Sequence, residues 1–160
     1  MCALGTFFEQ RPELVAKTCD VSRLLDLLMI MLQNPSLVVS VPVLYLWTKL
    51  LASPFIGDSA AVTKLAGVLL ETCSRRLFRY EALDPDCSDT TFAFLNEDFE
   101  TMPERHAFIG NYRRYCVEII QCIVQKSPFQ AIRHILNQAN TVFQTLYPAE
   151  RRFNSSLLHI

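Results

Sequence analysis

A chain of 160 residues suits one ordinary domain or a few units of a larger array, and 51% hydrophobic residues with 19% charged ones and only four glycines exclude general disorder. The net charge of −1 and the pI near 6.3 give no overall attraction to polyanions, so any contact with nucleic acid has to rest on a local patch. The two strongest apolar runs, Leu27 to Leu32 and Leu37 to Trp47, fall short of the roughly 18 to 20 residues of a bilayer crossing, which predicts buried helices and no membrane insertion.

Residues 1–10 carry Leu4, Phe7 and Phe8 at helical spacing with no capping residue ahead of them. The chain is therefore expected to open inside a helix, as an internal fragment would, and no Arg/Lys-led signal pattern precedes it. Arg11-Pro12 ends that helix. Asp20 or Ser22 opens a second, with Val21, Leu24, Leu25, Leu28 and Leu32 as its stripe. Leu27, Met29, Ile30 and Met31 fill most of its other positions, which predicts cover on more than one side. Asn34-Pro35 reads as N-cap and first-position proline of a third helix, from Pro35 to about Ala52, presenting Leu37, Val41, Val43, Leu44, Trp47, Leu50 and Leu51. Pro42 inside it removes one hydrogen bond and is expected to bend it. A strand over Leu37–Leu46 is the rival reading; it lacks period-two alternation, and Pro42 argues against a central strand.

Ser53 to Ser59 reads as a loop, and Asp58 or Ser59 caps a fourth helix running to about Tyr80. Its stripe is Val62, Leu65, Ala66, Leu69, Cys73, Leu77 and Tyr80, and Arg75, Arg76 and Arg79 gather at its C-terminal end, where the dipole favours cations. The connection that follows is strongly acidic: residues 81–104 hold eight of the sixteen Asp and Glu and no Lys or Arg. Within this acidic loop, taken as 81–103, Phe92, Phe94, Leu95 and Phe99 predict docking onto the helices with the carboxylates in water. Thr101 and Glu104 have capping-box spacing and Pro103 fits the first turn, so a fifth helix runs on to Lys126. Phe108, Tyr112, Tyr115, Cys116, Ile119 and Ile123 form its stripe. Ser127-Pro128-Phe129-Gln130 restarts a sixth helix with Ile132, Ile135, Leu136, Ala139, Phe143 and Leu146 on one face.

The fold class is thus all-α, about six helices, with short connections that imply antiparallel pairs. The step from residue 21 to residue 59 approaches the roughly 40 to 47 residues of helical-pair repeats, whose broad apolar faces require stacking and whose ends require neighbours. Pairing of helices two with three and four with five, or of five with six, is left open by the spacing. The six cysteines form no C-x-x-C pair and read as reduced core thiols of a cytosolic or nuclear protein. His106, His134 and His159 show no metal-ligand spacing with them, and no cofactor motif is present. Cys116 and His134, a conceivable nucleophile and base, lie on different helices without a third member, so no enzymatic activity is expected. Two charge clusters are the candidate partner-binding residues. Glu97, Asp98 and Glu100, with Glu104, suit paired carboxylates, a cation, a basic partner or a simple solvated loop, and Arg105, Arg113 and Arg114 suit phosphates or pairing with the adjacent acidic segment.

Several runs taken together carry a resemblance. They are Asn34 to Leu44 with Trp47-Thr48-Lys49-Leu50, Leu70-Glu71-Thr72-Cys73, Phe94-Leu95-Asn96-Glu97-Asp98, Pro103 to Phe108, and Gly110-Asn111-Tyr112-Arg113-Arg114. The chain up to about Tyr147 resembles the exportin-five branch of the importin-β-like karyopherins, especially its fungal members, as an internal fragment. The resemblance implies HEAT/armadillo-type repeats over 1–147, forming part of a superhelix; it stops there, so 148–160 reads as a divergent tail. It also implies a nuclear transport receptor that shuttles between nucleus and cytoplasm. Its partners would be the GTP-bound form of the small GTPase Ran, protein cargo, structured RNA such as tRNA or small-RNA precursors, and nuclear pore proteins. A helical-repeat scaffold or adaptor outside transport is the alternative.

Overall fold

The computed structural model describes residues 2–78, 80, 83 and 86–146. The expectations for Arg79, Asp84-Pro85 and the 148–160 tail, and for the side chains of Leu4 and Leu146, lie outside the described residues. Among those described there is no strand, and nine helices are found in place of the expected six or so. They are α1 (Cys2–Gln10), α2 (Pro12–Thr18), α3 (Val21–Leu32), α4 (Leu37–Ala52), α5 (Pro54–Gly57), α6 (Ala60–Arg76), α7 (Thr90–Asp98), α8 (Met102–Lys126) and α9 (Pro128–Leu146). None is long and apolar enough to cross a membrane.

The three additional helices occupy segments expected to be connections. Pro12 and Pro54 each begin a helix, because a proline in the first turn loses no hydrogen bond. In the acidic connection, Asp89 accepts from the backbone N–H of Phe92 at 2.8 Å and caps α7, so the 81–103 segment contains a helix that buries Phe92 and Leu95. The α4 start also differs from expectation. Asn34 does not cap it; its side chain accepts from Ser36 N–H at 2.9 Å as an Asx turn, and Ser36 caps the helix through Val39 N–H at 3.3 Å. Asp20, Ser59 and Thr101 cap α3, α6 and α8 as expected, and α6 ends at Arg76 rather than near Tyr80.

The helices form two layers. In one, α3, α6 and α9 follow one another; in the other, α1, α4 and α8 do. Of the pairings the spacing left open, α3 packs on α4 and α6 on α8, as two with three and four with five, and α8 also packs on α9, as five with six. The short α7 lies on α4, and α5 bridges α2 and α4. The core runs between the layers through Leu25, Leu44, Trp47, Leu69, Ile109 and Ile119, all essentially solvent-free. On α8 the buried line is Arg105, Ile109, Tyr112, Cys116, Ile119 and Ile123, with Phe108 and Tyr115 on its half-buried flank.

Two faces depart from the expected cover. On α3, Leu27, Ile30 and Met31 are exposed, since α4 and α6, its main neighbours among the described residues, take its other side. On α9, Ile132, Ile135, Leu136 and Phe143 face solvent, while Ala131 is buried and His134 and Gln138 reach Glu71 of α6. The apolar stripe of the last helix therefore points away from the chain's own core.

Candidate partner-binding surface

The α4–α8 contact combines close packing inside with a cleft outside. At its centre, the hydroxyls of Ser40 and Tyr112 are hydrogen-bonded at 2.9 Å, both fully buried. Burial disfavours the phenolate, which pushes the Tyr112 pKa up despite the Ser40 hydroxyl. Nearby, Cys116 hydrogen-bonds the Cys73 thiol; that bond and burial push Cys73 well up, and both side chains are buried in the core.

One flank further out, Tyr45, Thr48, Lys49 and Ala52 of α4 recur at helical spacing opposite Arg114, Tyr115, Glu118, Gln121, Cys122 and Gln125 of α8. They enclose a cleft of about 470 Å³. The rings of Tyr45 and Tyr115 meet edge to face with centroids 5.8 Å apart. Each carries a cation: Lys49 Nζ lies 5.2 Å from the Tyr45 centroid and Arg114 Cζ 4.5 Å from that of Tyr115. Lys49 pairs with Glu9 of α1 at 2.8 Å, and this hydrogen bond, then that to Tyr45, raises its pKa. Arg114 pairs with Glu118 at 2.7 Å and donates to Asn111. These are partly solvated ion pairs of small individual strength, so a partner can take over either cation at low cost.

A second cleft, of about 720 Å³, lies where the α3–α4 turn meets the C-terminal half of α6 and the start of α7. Arg76 closes its inner wall, donating to the Asn34 carbonyl at 2.6 Å and to Thr91 Oγ1 at 3.1 Å. Phe78 is exposed on its rim, beside Arg75.

The six residues singled out from sequence do not converge. Arg105 is buried and belongs to the α7–α8 junction, where it donates to Asn96 Oδ1 and lies 4.8 Å from the Phe92 ring centroid. Its place beside the last turn of α7 suits a cation, because unsatisfied carbonyls make that end negative. Arg105 thus meets the acidic segment through an amide and a ring. Arg113 and Arg114, adjacent in sequence, diverge by about 100° around the helix: Arg113 donates to the Phe78 carbonyl at 2.7 Å, while Arg114 lines the tyrosine cleft. Glu97, Asp98 and Glu100 are exposed, with Asp98 accepting from Ser36 Oγ at 3.4 Å. Sequence reasoning missed Tyr45 and Lys49 as site residues; the i, i+3, i+4, i+7 recurrence of 45, 48, 49 and 52 was the available signal. Among the described residues no group of His, Cys, Asp and Glu has a metal-holding arrangement.

Comparison with known proteins agrees with this architecture. The family model for Exportin-5 matches residues 1–156. The chain belongs to the Exportin-5 family. A curated relative within reach, an uncharacterized protein of Schizosaccharomyces pombe, is 30% identical over 111 residues, covering 67% of this chain. The Exportin-5 family chain spans 9% of the length of that relative. No solved structure matches it.

Proposed function

We propose that this chain is a segment of a nuclear transport receptor that carries cargo out of the nucleus together with GTP-bound Ran and shuttles between nucleus and cytoplasm. The observation that carries the reading is the family match over residues 1–156, on a chain folded as two stacked layers of paired helices. Cargo is protein or structured RNA, such as tRNA or small-RNA precursors, and nuclear pore proteins are transient partners. The role is one of binding and carries no enzymatic step. Within the segment, the α4–α8 cleft is the partner-contacting surface: its paired tyrosines offer flat apolar area at little entropic cost, and Lys49 and Arg114 offer cations to phosphates or carboxylates. The acidic group Glu97, Asp98 and Glu100 is a secondary contact for basic cargo or for Ran. Arg113 and Arg105 hold the framework on which both stand.

The test is retention of protein and RNA cargo by a longer receptor containing this segment, with GTP-loaded and GDP-loaded Ran. Retention is expected with the GTP form alone, and Arg114→Ala with Lys49→Ala weakens it at least about tenfold while shifting the melting temperature only slightly, because both ion pairs are partly solvated. Retention indifferent to the nucleotide overturns transport and favours a scaffold. Retention that depends on nucleotide but ignores both substitutions moves the contact away from this cleft.

A further inference from the structure

We propose that the α4–α8 cleft takes an extended segment of a protein partner, about five residues long, with a carboxylate at the tyrosine end and its backbone paired to Gln121 and Gln125. This rests on the reading of that cleft as a partner-contacting surface and gives the partner's chemistry.

The cleft runs between two helices that lie side by side and point the same way: Ser40 meets Tyr112, and further along both helices Tyr45 meets Tyr115. Continued in step, that register sets the small side chains of Ala52 and Cys122 opposite each other, about two turns beyond the tyrosines, which leaves room at that end. From Arg114 to Gln125 the α8 wall is about 16 Å long, the length of about five residues of extended chain. Gln121 and Gln125 stand on that wall one turn apart, both exposed and about 6 Å from each other along the axis. An extended chain returns to the same face every second residue, about 6.6 Å on. Each glutamine amide offers a donor group and an acceptor, so the two can hold the N–H and C=O groups of alternate residues without distorting either chain.

Charge sets the class and the polarity of the segment. Lys49 and Arg114 gather at the tyrosine end, and the side chains of their partners Glu9 and Glu118 are 46% and 40% exposed, so an incoming carboxylate can share or replace them. Beyond Glu118 no lining residue is charged, and the wall turns to amides. A nucleic-acid strand fits less well on two counts. It carries a phosphate on every nucleotide and would set one beside Glu118. Single strands also bind by stacking successive bases on aromatic faces, whereas Tyr45 and Tyr115 stand at 74° to each other and each already holds a cation. A peptide that begins acidic and continues neutral meets first the cations and then the amides.

The test uses the full chain and a fluorescent peptide of about eight residues, a pair of glutamates followed by alternating threonine and alanine, made in both chain directions. The controls are the same peptides with glutamine in place of glutamate, and an oligouridine of equal length. Fluorescence anisotropy at about 50 mM salt reads affinity. The rate of maleimide addition at Cys122, mapped by mass spectrometry against the exposed Cys19 outside the cleft, reads the place. One direction of the acidic peptide is expected to bind at least about tenfold tighter than its glutamine control and than oligouridine, and to slow addition at Cys122 but not at Cys19. Gln121→Ala with Gln125→Ala is expected to weaken that peptide at least about fivefold with unchanged circular dichroism, both sites being exposed. Arg114→Ala is expected to reduce the preference for glutamate over glutamine. Tighter oligouridine binding that protects Cys122 overturns the peptide proposal and leaves the cleft as a partner surface. Peptide affinity indifferent to both glutamines overturns the extended register. Cys122 left unprotected by every probe overturns the proposal together with the reading on which it rests.

Discussion

Replacing Ser40 by alanine probes the contact that seats α4 on α8. The Ser40 and Tyr112 hydroxyls are 2.9 Å apart and fully buried, and Ser40 Oγ also reaches the Leu37 carbonyl at 3.3 Å. Ser40→Ala leaves the phenol without a partner in an apolar site, which costs about 2 kcal/mol, since an unmet buried group loses its full hydration. Alanine's better helix propensity returns about 0.5 kcal/mol, leaving a loss of about 1.5 kcal/mol and a fall of about 3 to 6 °C in Tm for a chain of this size. Tyr112→Phe is milder, about 1 kcal/mol, because Ser40 keeps the Leu37 carbonyl. The double variant leaves neither group orphaned, so its loss is expected to fall below the sum of the singles by about 1 kcal/mol. Urea unfolding of the four chains at pH 7, followed by circular dichroism, measures this. Losses that add within about 0.3 kcal/mol would refute the bond as the element that couples the two helices.

Alkaline pH provides a second probe, because the folded chain holds the Tyr112 and Cys73 protons more tightly than the unfolded chain, whose ordinary values are 10.0 and 9.0. Stability is therefore complete below pH 9.0 and declines as pH rises, first through Cys73 and then through Tyr112, by up to about 1.4 kcal/mol per unit for each group. Melting curves between about pH 7 and 11 test this, and a decline of undiminished size in Cys73→Ala/Tyr112→Phe refutes the assignment. A Cβ at Gly57 would press on the backbone carbonyl of Leu51, whereas one at Gly110 meets open space. Gly57→Ala is expected to cost about 2 kcal/mol through overpacking and Gly110→Ala to gain about 1 kcal/mol of helix propensity, both read from Tm. Arg105→Leu removes the hydrogen bond to the solvent-accessible Asn96 amide and the cation from the Phe92 ring and is expected to cost about 1 kcal/mol, with little recovery in Arg105→Lys because lysine lacks the planar fork that lies against Phe92. By contrast Arg114→Ala, at a solvated pair, is expected to change stability by less than about 0.5 kcal/mol in the same urea assay.

Local chemistry made the long helices legible in the sequence. Asp20, Ser59 and Thr101 each offer an oxygen three residues ahead of an orphaned N–H, and those starts hold. The same local logic failed where two choices were nearly equal. Asn34 and Ser36 both suit a cap, and Pro12 and Pro54 suit an ending as well as a beginning, so α2 and α5 were hidden behind their prolines. The acidic connection concealed α7 because composition registers carboxylates and passes over the spacing of Phe92 and Leu95.

Periodicity determined by itself that this chain is all helix with broad apolar faces, because a 3.6-residue recurrence is a property of each segment alone. Which face meets which neighbour is a property of pairs of segments, and only the tertiary structure decided it. Packing turned the α9 stripe outward, drew Arg105 inside, and gave the adjacent Arg113 and Arg114 different neighbours, the Phe78 carbonyl and the tyrosine cleft. The tyrosine cleft exists only because two helices remote in sequence lie side by side, held by the buried hydroxyl pair of Ser40 and Tyr112.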